Sequence, residues 1–303
     1  MPIVSAVRSL TAVNAPEPGR PPIRIDSPQN ERVKEALRLR DRPDRDRLGR
    51  LLIEGYREVK RALDNGVRPA DLFFCPDAFQ KGNEPALVDR ARAAGARLFE
   101  CSERVFAKLS YRDRPDGLLA VAPQVRRALA DLDLPRDPLL LVCEHIEKPG
   151  NLGTMLRSAD AGGVHAVLVC DRCTDINNPN VVRSSVGTLF ALPVVEVASD
   201  EAVAWLRARG IRIVAATPSA AVEHTAADLA AGAAIVVGSE QYGLTDRWME
   251  AADLKVRIPM LGQCDSLNVA AAATILIYEA VRQRRAPRAV RPPDGPTAPG
   301  RTA

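Results

Sequence analysis

The sequence has no apolar run approaching the ~20 residues that a membrane-spanning helix requires. Its first residues, MPIVSAVRSLTAVNAPEPGRPP, offer neither the apolar stretch nor the small-residue cleavage site of a secretory signal, so a cytoplasmic protein with no membrane partner is expected. Cysteine motifs are nearly absent. Cys75, Cys101, Cys143 and Cys264 stand singly, and the one close pair, Cys170-Asp-Arg-Cys173, is followed by no second pair of soft ligands. Reduced thiols and no bound metal are therefore expected. No internal repeat is visible, and no G-x-G-x-x-G dinucleotide fingerprint follows any predicted strand. Residues 1–27 and 286–303 are rich in Pro, Ala and Arg without periodicity, and both ends are predicted to be disordered.

What is present is a chain of 303 residues with 46% hydrophobic content, enough for two domains that each bury a core. The formal charge of +4 suits a polyanionic partner without requiring one. Basic residues crowd 32–61 but alternate there with acids, as on a solvated helix face. From 28 to 123, helix-like stretches alternate with short apolar runs at 51–54, 72–75, 97–99 and 118–121, which predicts a small α/β domain. A mixed segment, 124–137, reads as a linker ending in prolines. The second domain, 138–285, opens with Leu139-Leu140-Leu141-Val142-Cys143, a continuous apolar run typical of a strand buried on both faces. Similar runs at 166–170, 194–197, 211–215, 234–237 and 256–258 alternate with helical stretches, which predicts a mostly parallel sheet with its ligand at the strand C-termini.

Three segments follow predicted strand ends. In the first, Pro149, Gly150 and Gly153 are read as a tight turn into a helix, which presents Asn151 and then Arg157 beyond the sheet edge, where an anion could be held. In the second, Val237-Gly238-Ser239-Glu240-Gln241-Tyr242-Gly243, a plain turn would explain the glycines but would not require Glu240. The third runs from Ile258 to Val269 and sets Asp265, Ser266 and Asn268 at a helix mouth, where capping accounts for only part of the pattern.

Together PGNLGTMLRSADAGGV, VVGSEQYGL and IPMLGQCDSLNVAAAATILIYEA resemble, in order, the three motifs of the TrmH/SpoU methyltransferases, and Asn178-Pro179-Asn180-Val181-Val182-Arg183-Ser184-Ser185-Val186-Gly187 resembles the stretch between them. The resemblance implies a trefoil-knotted α/β SPOUT domain. It implies S-adenosylmethionine as cofactor, held by Ala215, Thr217, Pro218, Gly238, Ser239, Ile258, Met260 and Leu267, and a homodimer packed through the knotted region. The N-terminal domain is more loosely similar to the L30e-like α/β modules that bind RNA in this family.

The implied reaction is methylation of an RNA ribose 2′-hydroxyl. A hydroxyl is a poor nucleophile at neutral pH, so alignment and proton removal must both be supplied. The family resemblance ties Arg157 to deprotonation and gives Asn151, Glu240, Ser266 and Asn268 the positioning of Arg157, ribose and phosphate. A guanidinium does not give up its proton readily. The alternative role for Arg157 is to clamp a phosphate or stabilise the developing alkoxide, and a bracing Arg157–Glu240 ion pair is the plain structural alternative. His145, His165 and His224 stand with no recognisable catalytic partner and are expected to be structural. Ribosomal RNA, most simply 23S, is favoured over transfer RNA by the extra N-terminal domain. A non-catalytic RNA-binding protein would be expected to have damaged motifs, and these are intact.

Overall fold

The computed structural model describes residues 21–285; residues 1–20 and 286–303, where most of the expected disorder falls, lie outside them. The N-terminal domain comprises β1 (Ile23–Ile25), α1 (Glu31–Arg38), α2 (Arg42–Leu48), β2 (Arg50–Glu54), α3 (Tyr56–Asp64), β3 (Asp71–Phe74), α4 (Glu84–Ala93), β4 (Arg97–Cys101), α5 (Glu103–Leu109) and β5 (Leu118–Pro123). Its sheet order is β1-β4-β3-β5-β2, with β5 antiparallel to both neighbours. One correction falls at its start. Residues 23–25 belong to the expected disordered end, yet they form a strand parallel to β4 and bury Ile25 against Phe99 and Cys101.

The second domain comprises β6 (Leu139–Glu144), α6 (Pro149–Ala161), β7 (Ala166–Cys170), α7 (Pro179–Ser184), β8 (Val194–Val197), α8 (Ser199–Ala208), β9 (Arg212–Ala216), β10 (Val222–Glu223), β11 (Ala233–Val237), α9 (Asp246–Ala251), β12 (Leu254–Arg257) and α10 (Val269–Arg285). All its strands are parallel, in the order β10-β12-β9-β11-β6-β7-β8. β6, β7 and β11 are buried along their whole length, as their unbroken apolar runs predict.

A correction concerns the turn expected at Pro149–Gly153. The helix already begins at Pro149, whose missing N–H costs nothing in a first turn. Gly153 serves packing instead: a Cβ there would sit 1.9 Å from Ser184 Oγ, so its absence lets α7 lie directly on α6.

The domains share one apolar core. Leu51, Ile53 and Val59 from the first cluster with Leu152, Val181, Val182 and Leu189 from the second. α2 adds a polar rivet, because its one buried residue is a cation. Arg45, 1% exposed, donates to the carbonyls of Leu39 and Arg40 at 3.0 and 2.6 Å and to Asp175 of the second domain at 2.5 Å. The predicted linker is fastened as well, since Val125 exchanges two hydrogen bonds with the Asn177 side chain and Leu129 is buried.

Candidate functional site

β6 and β11 are neighbours, so the segments that follow them emerge side by side. The third segment starts two strands from β11, at the end of β12, and residues 258–268 must pass the ends of β9 and β11 before α10 packs on α6. That crossing brings the three segments to a single carboxylate. Glu240 accepts from Lys148 Nζ at 2.5 Å, Asn151 Nδ2 at 2.6 Å and Asn268 Nδ2 at 2.6 Å, and Asn268 also reaches Asn151 Oδ1 at 3.2 Å. The Lys148 contact first, then the two amides, hold the Glu240 carboxyl below its ordinary range, and the same contact holds the Lys148 ammonium above its own.

The supports are local. Asn268 Oδ1 accepts from Ala270 N at 3.1 Å and so caps α10 while its amide faces Glu240. Glu144, fully buried at the end of β6, accepts from the N–H and hydroxyl of Thr245 at 2.9 and 2.6 Å and ties down the far end of the Glu240 loop. Ser239 and Gly243 exchange backbone hydrogen bonds of 3.0 and 3.1 Å across that loop. A Cβ at Gly238 would lie 2.2 Å from the Gly243 carbonyl, so glycine there is demanded by the loop's own closure.

Beside Glu240 opens a cavity of about 550 Å³. Seven of the eight expected cofactor residues line it: Thr217, Pro218, Gly238, Ser239, Ile258, Met260 and Leu267. Ala215 does not. It lies inside β9 at 0% exposure, paired with Val236, and the next residue, Ala216, takes its place on the wall. Among the expected catalytic residues, Asn151, Glu240 and Asn268 meet, and Ser266 stands exposed on the cavity lining. Arg157 lies two turns along α6, exposed, its side chain in neither an ion pair nor a hydrogen bond among the described residues. The bracing Arg157–Glu240 pair does not form, and Lys148 occupies that place. Sequence reasoning missed Lys148, because a lysine before a Pro-Gly turn looks like any solvated cation until the fold sets β11 beside β6. Of the histidines, His165 accepts from Leu139 N at 3.0 Å, which gives it a structural role.

Two family models match separate stretches of the chain. Residues 138–278 match the model of the SpoU rRNA Methylase family, and residues 30–120 match the MRM3-like substrate binding domain. The chain is 30% identical to the Bacillus subtilis 23S rRNA (guanosine(2553)-2′-O)-methyltransferase RlmP, over 84% of this chain and 97% of that protein. A crystal structure described as an RNA 2′-O ribose methyltransferase superposes with a TM-score of 0.76 at 43% identity, covering 86% of this chain and 99% of that one. The SpoU methyltransferase AviRb from Streptomyces viridochromogenes, solved with AdoMet, superposes with a TM-score of 0.77 at 30% identity, covering 84% and 99%.

Proposed function

The chain belongs to the SpoU rRNA methylase family, and from that premise we propose that its residues direct methyl transfer from S-adenosylmethionine to a ribose 2′-hydroxyl of 23S ribosomal RNA. The convergence of three separate segments on Glu240 is the observation that carries this reading.

The cavity fits the cofactor. Val237, Leu244 and Ile258 provide apolar wall for an adenosine, while Glu240 and Asp265 put carboxylates on the lining beside which a sulfonium is welcome. Bound S-adenosylmethionine supplies an electrophilic methyl group. Everything else falls to the protein. Asn151 and Asn268 fix Glu240 in place, and Lys148 offsets its charge so that an anionic RNA strand can approach. Ser266 presents to the ribose or its phosphate a hydroxyl with no partner among the described residues. Arg157 clamps the phosphate and stabilises the developing alkoxide, and a phosphate oxygen or water takes the proton.

The exposed, unpaired state of Arg157 supports a homodimer in which it faces the partner's cofactor. So do Leu267, Ile275 and Tyr278, which stand 38%, 37% and 48% exposed near the start and along the outer face of α10. The crossing of residues 258–268 supports a knotted cofactor pocket, and the mixed sheet of the first domain supports an L30e-like RNA module. No helix among the described residues is long and apolar enough to cross a membrane. The likeness to a bacterial 23S rRNA methyltransferase supports a cytoplasmic protein. The test is to incubate the protein with tritiated S-adenosylmethionine and, separately, unmodified ribosomal and transfer RNA. Label in 23S RNA at one alkali-resistant linkage is expected; label in transfer RNA alone would overturn the substrate assignment.

A further inference from the structure

A second cavity, of about 670 Å³, opens where the two domains meet, away from the Glu240 cluster. Its volume falls in the range of about 300–1,000 Å³ that ligand sites occupy. Its wall carries five cations: Arg112, which already holds Glu58, and four others, Arg57, Lys81 and Arg114 from the first domain and Arg183 from the second. All four are exposed and, among the described residues, their side chains enter neither an ion pair nor a hydrogen bond. Other cations of this seam are already engaged: Arg45 holds Asp175, Arg61 holds the Val186 carbonyl at 2.5 Å, and Arg112, on the same wall, holds Glu58 at 2.6 Å. Four unengaged cations around one concave site are an electrostatic match for phosphates.

The same lining carries four acids, Glu58, Glu84, Asp113 and Asp116, and two of them, Glu84 and Asp116, each bury an oxygen without a partner. Glu84, 2% exposed, accepts through Oε1 from the N–H groups of Gln80 and Lys81, while its Oε2 is buried without a partner. Asp116 accepts from Tyr56 N at 2.7 Å through Oδ2, and its Oδ1 is likewise unpartnered. A bare polyanion has nothing to offer these acceptors, whereas an unpaired base brings N–H donors.

The crevice is braced at Val186 and connected to the site. Val186 holds φ +52°, a conformation rare for a β-branched residue, and Arg61 pins its carbonyl. Ser184, next to Arg183, donates to the Pro149 carbonyl at 3.1 Å, at the root of the helix that carries Asn151 and Arg157. We infer that this crevice binds an unpaired segment of the substrate RNA, with phosphates on Arg57, Lys81, Arg114 and Arg183, and thereby sets the register of the target ribose across the α6–α7 contact. The inference rests on the RNA-methylating reading and adds to it a site on both domains.

Equilibrium binding of a 23S RNA fragment, measured against salt for the wild type, Arg183→Glu, Arg57→Glu and a distant exposed control, Arg207→Glu, tests it, with methyl transfer and cofactor affinity followed in parallel. Arg183→Glu and Arg57→Glu are each expected to weaken RNA binding about tenfold, the effect of one lost charge-assisted contact. The log–log salt slope should shrink by about 1, with thermal melting and cofactor affinity as in the wild type. Binding and slope unchanged from wild type, or shifted equally by Arg207→Glu, would overturn the crevice. Wild-type protein that binds through Arg183 yet transfers no methyl group would leave the crevice standing and defeat the 23S reading instead.

Discussion

The seam between the domains and the mouth of the cofactor cavity are both built from acids facing cations, yet they are built in opposite ways. Inside the seam, beneath the exposed crevice, the paired charges are withdrawn from water: Arg45 is 1% and Asp175 5% exposed, and burial pushes the carboxyls of Glu54 and Glu58 above their ordinary range in spite of Arg112. At the mouth the Lys148 side chain is 69% exposed, and donated hydrogen bonds pull the Glu240 carboxyl down. A buried pair is costly to break because the survivor is left uncompensated, whereas an exposed pair exchanges partners at little cost. The seam can therefore hold two domains in fixed register, and the mouth can accept a charged substrate.

Substitutions that separate activity from stability sharpen this contrast. The largest effect is expected for Arg157→Ala, which should slow methyl transfer by about 100-fold or more, the scale of losing one group aimed at developing charge. Its melting temperature should match the wild type, because the Arg157 side chain holds nothing among the described residues. A melting temperature that falls with the rate would remove the distinction. Arg45→Ala should do the reverse. Denaturant unfolding is expected to show a loss of about 3–5 kcal/mol from the uncompensated Asp175, with cofactor affinity of the folded fraction unchanged.

Gly153→Ala stands between the two, since its Cβ would meet Ser184 and force α7 off α6. A cost of about 1–3 kcal/mol is expected for this overpacking, together with slower transfer as Asn151 shifts. Stability and rate both at wild-type level would show that the α6–α7 contact yields freely.

The smallest effect concerns pH. A carboxyl raised by folding binds more protons in the native state, so Glu54 and Glu58 contribute stability below the ordinary carboxylate pKa of about 4.3 that is lost as pH rises through their higher folded values. Glu240 has the opposite sign, and its contribution is lost only as pH falls through its lowered value. Glu58→Gln should accordingly flatten the decline in stability above about pH 4.3, as followed by denaturant midpoint, while Glu240→Gln should leave that limb as it is.

The two regions also differed in how far they could be read from sequence. Strands such as Leu139–Glu144 and Ala166–Cys170 were legible because burial on both faces writes an unbroken apolar run. α2 was not, since RPDRDRL buries a single residue and that residue is Arg45, so a helix fastened by an ion pair leaves no hydrophobic period. α7 and α9, six residues each, are too short to show one, and β1 exposes two of its three residues. At the mouth, motif order identified Asn151, Glu240 and Asn268, but that they touch depends on strand order, which no local pattern encodes. Lys148 and the crevice cations were invisible for the same reason.

The most direct test of the account is single-turnover methyl transfer to unmodified 23S RNA by the wild type and by Glu240→Ala, with cofactor affinity measured alongside. The account predicts one alkali-resistant ribose-methylated linkage from the wild type and a rate about 100-fold lower from a folded Glu240→Ala protein. Wild-type transfer by Glu240→Ala, or label on a base in place of a ribose, would contradict it.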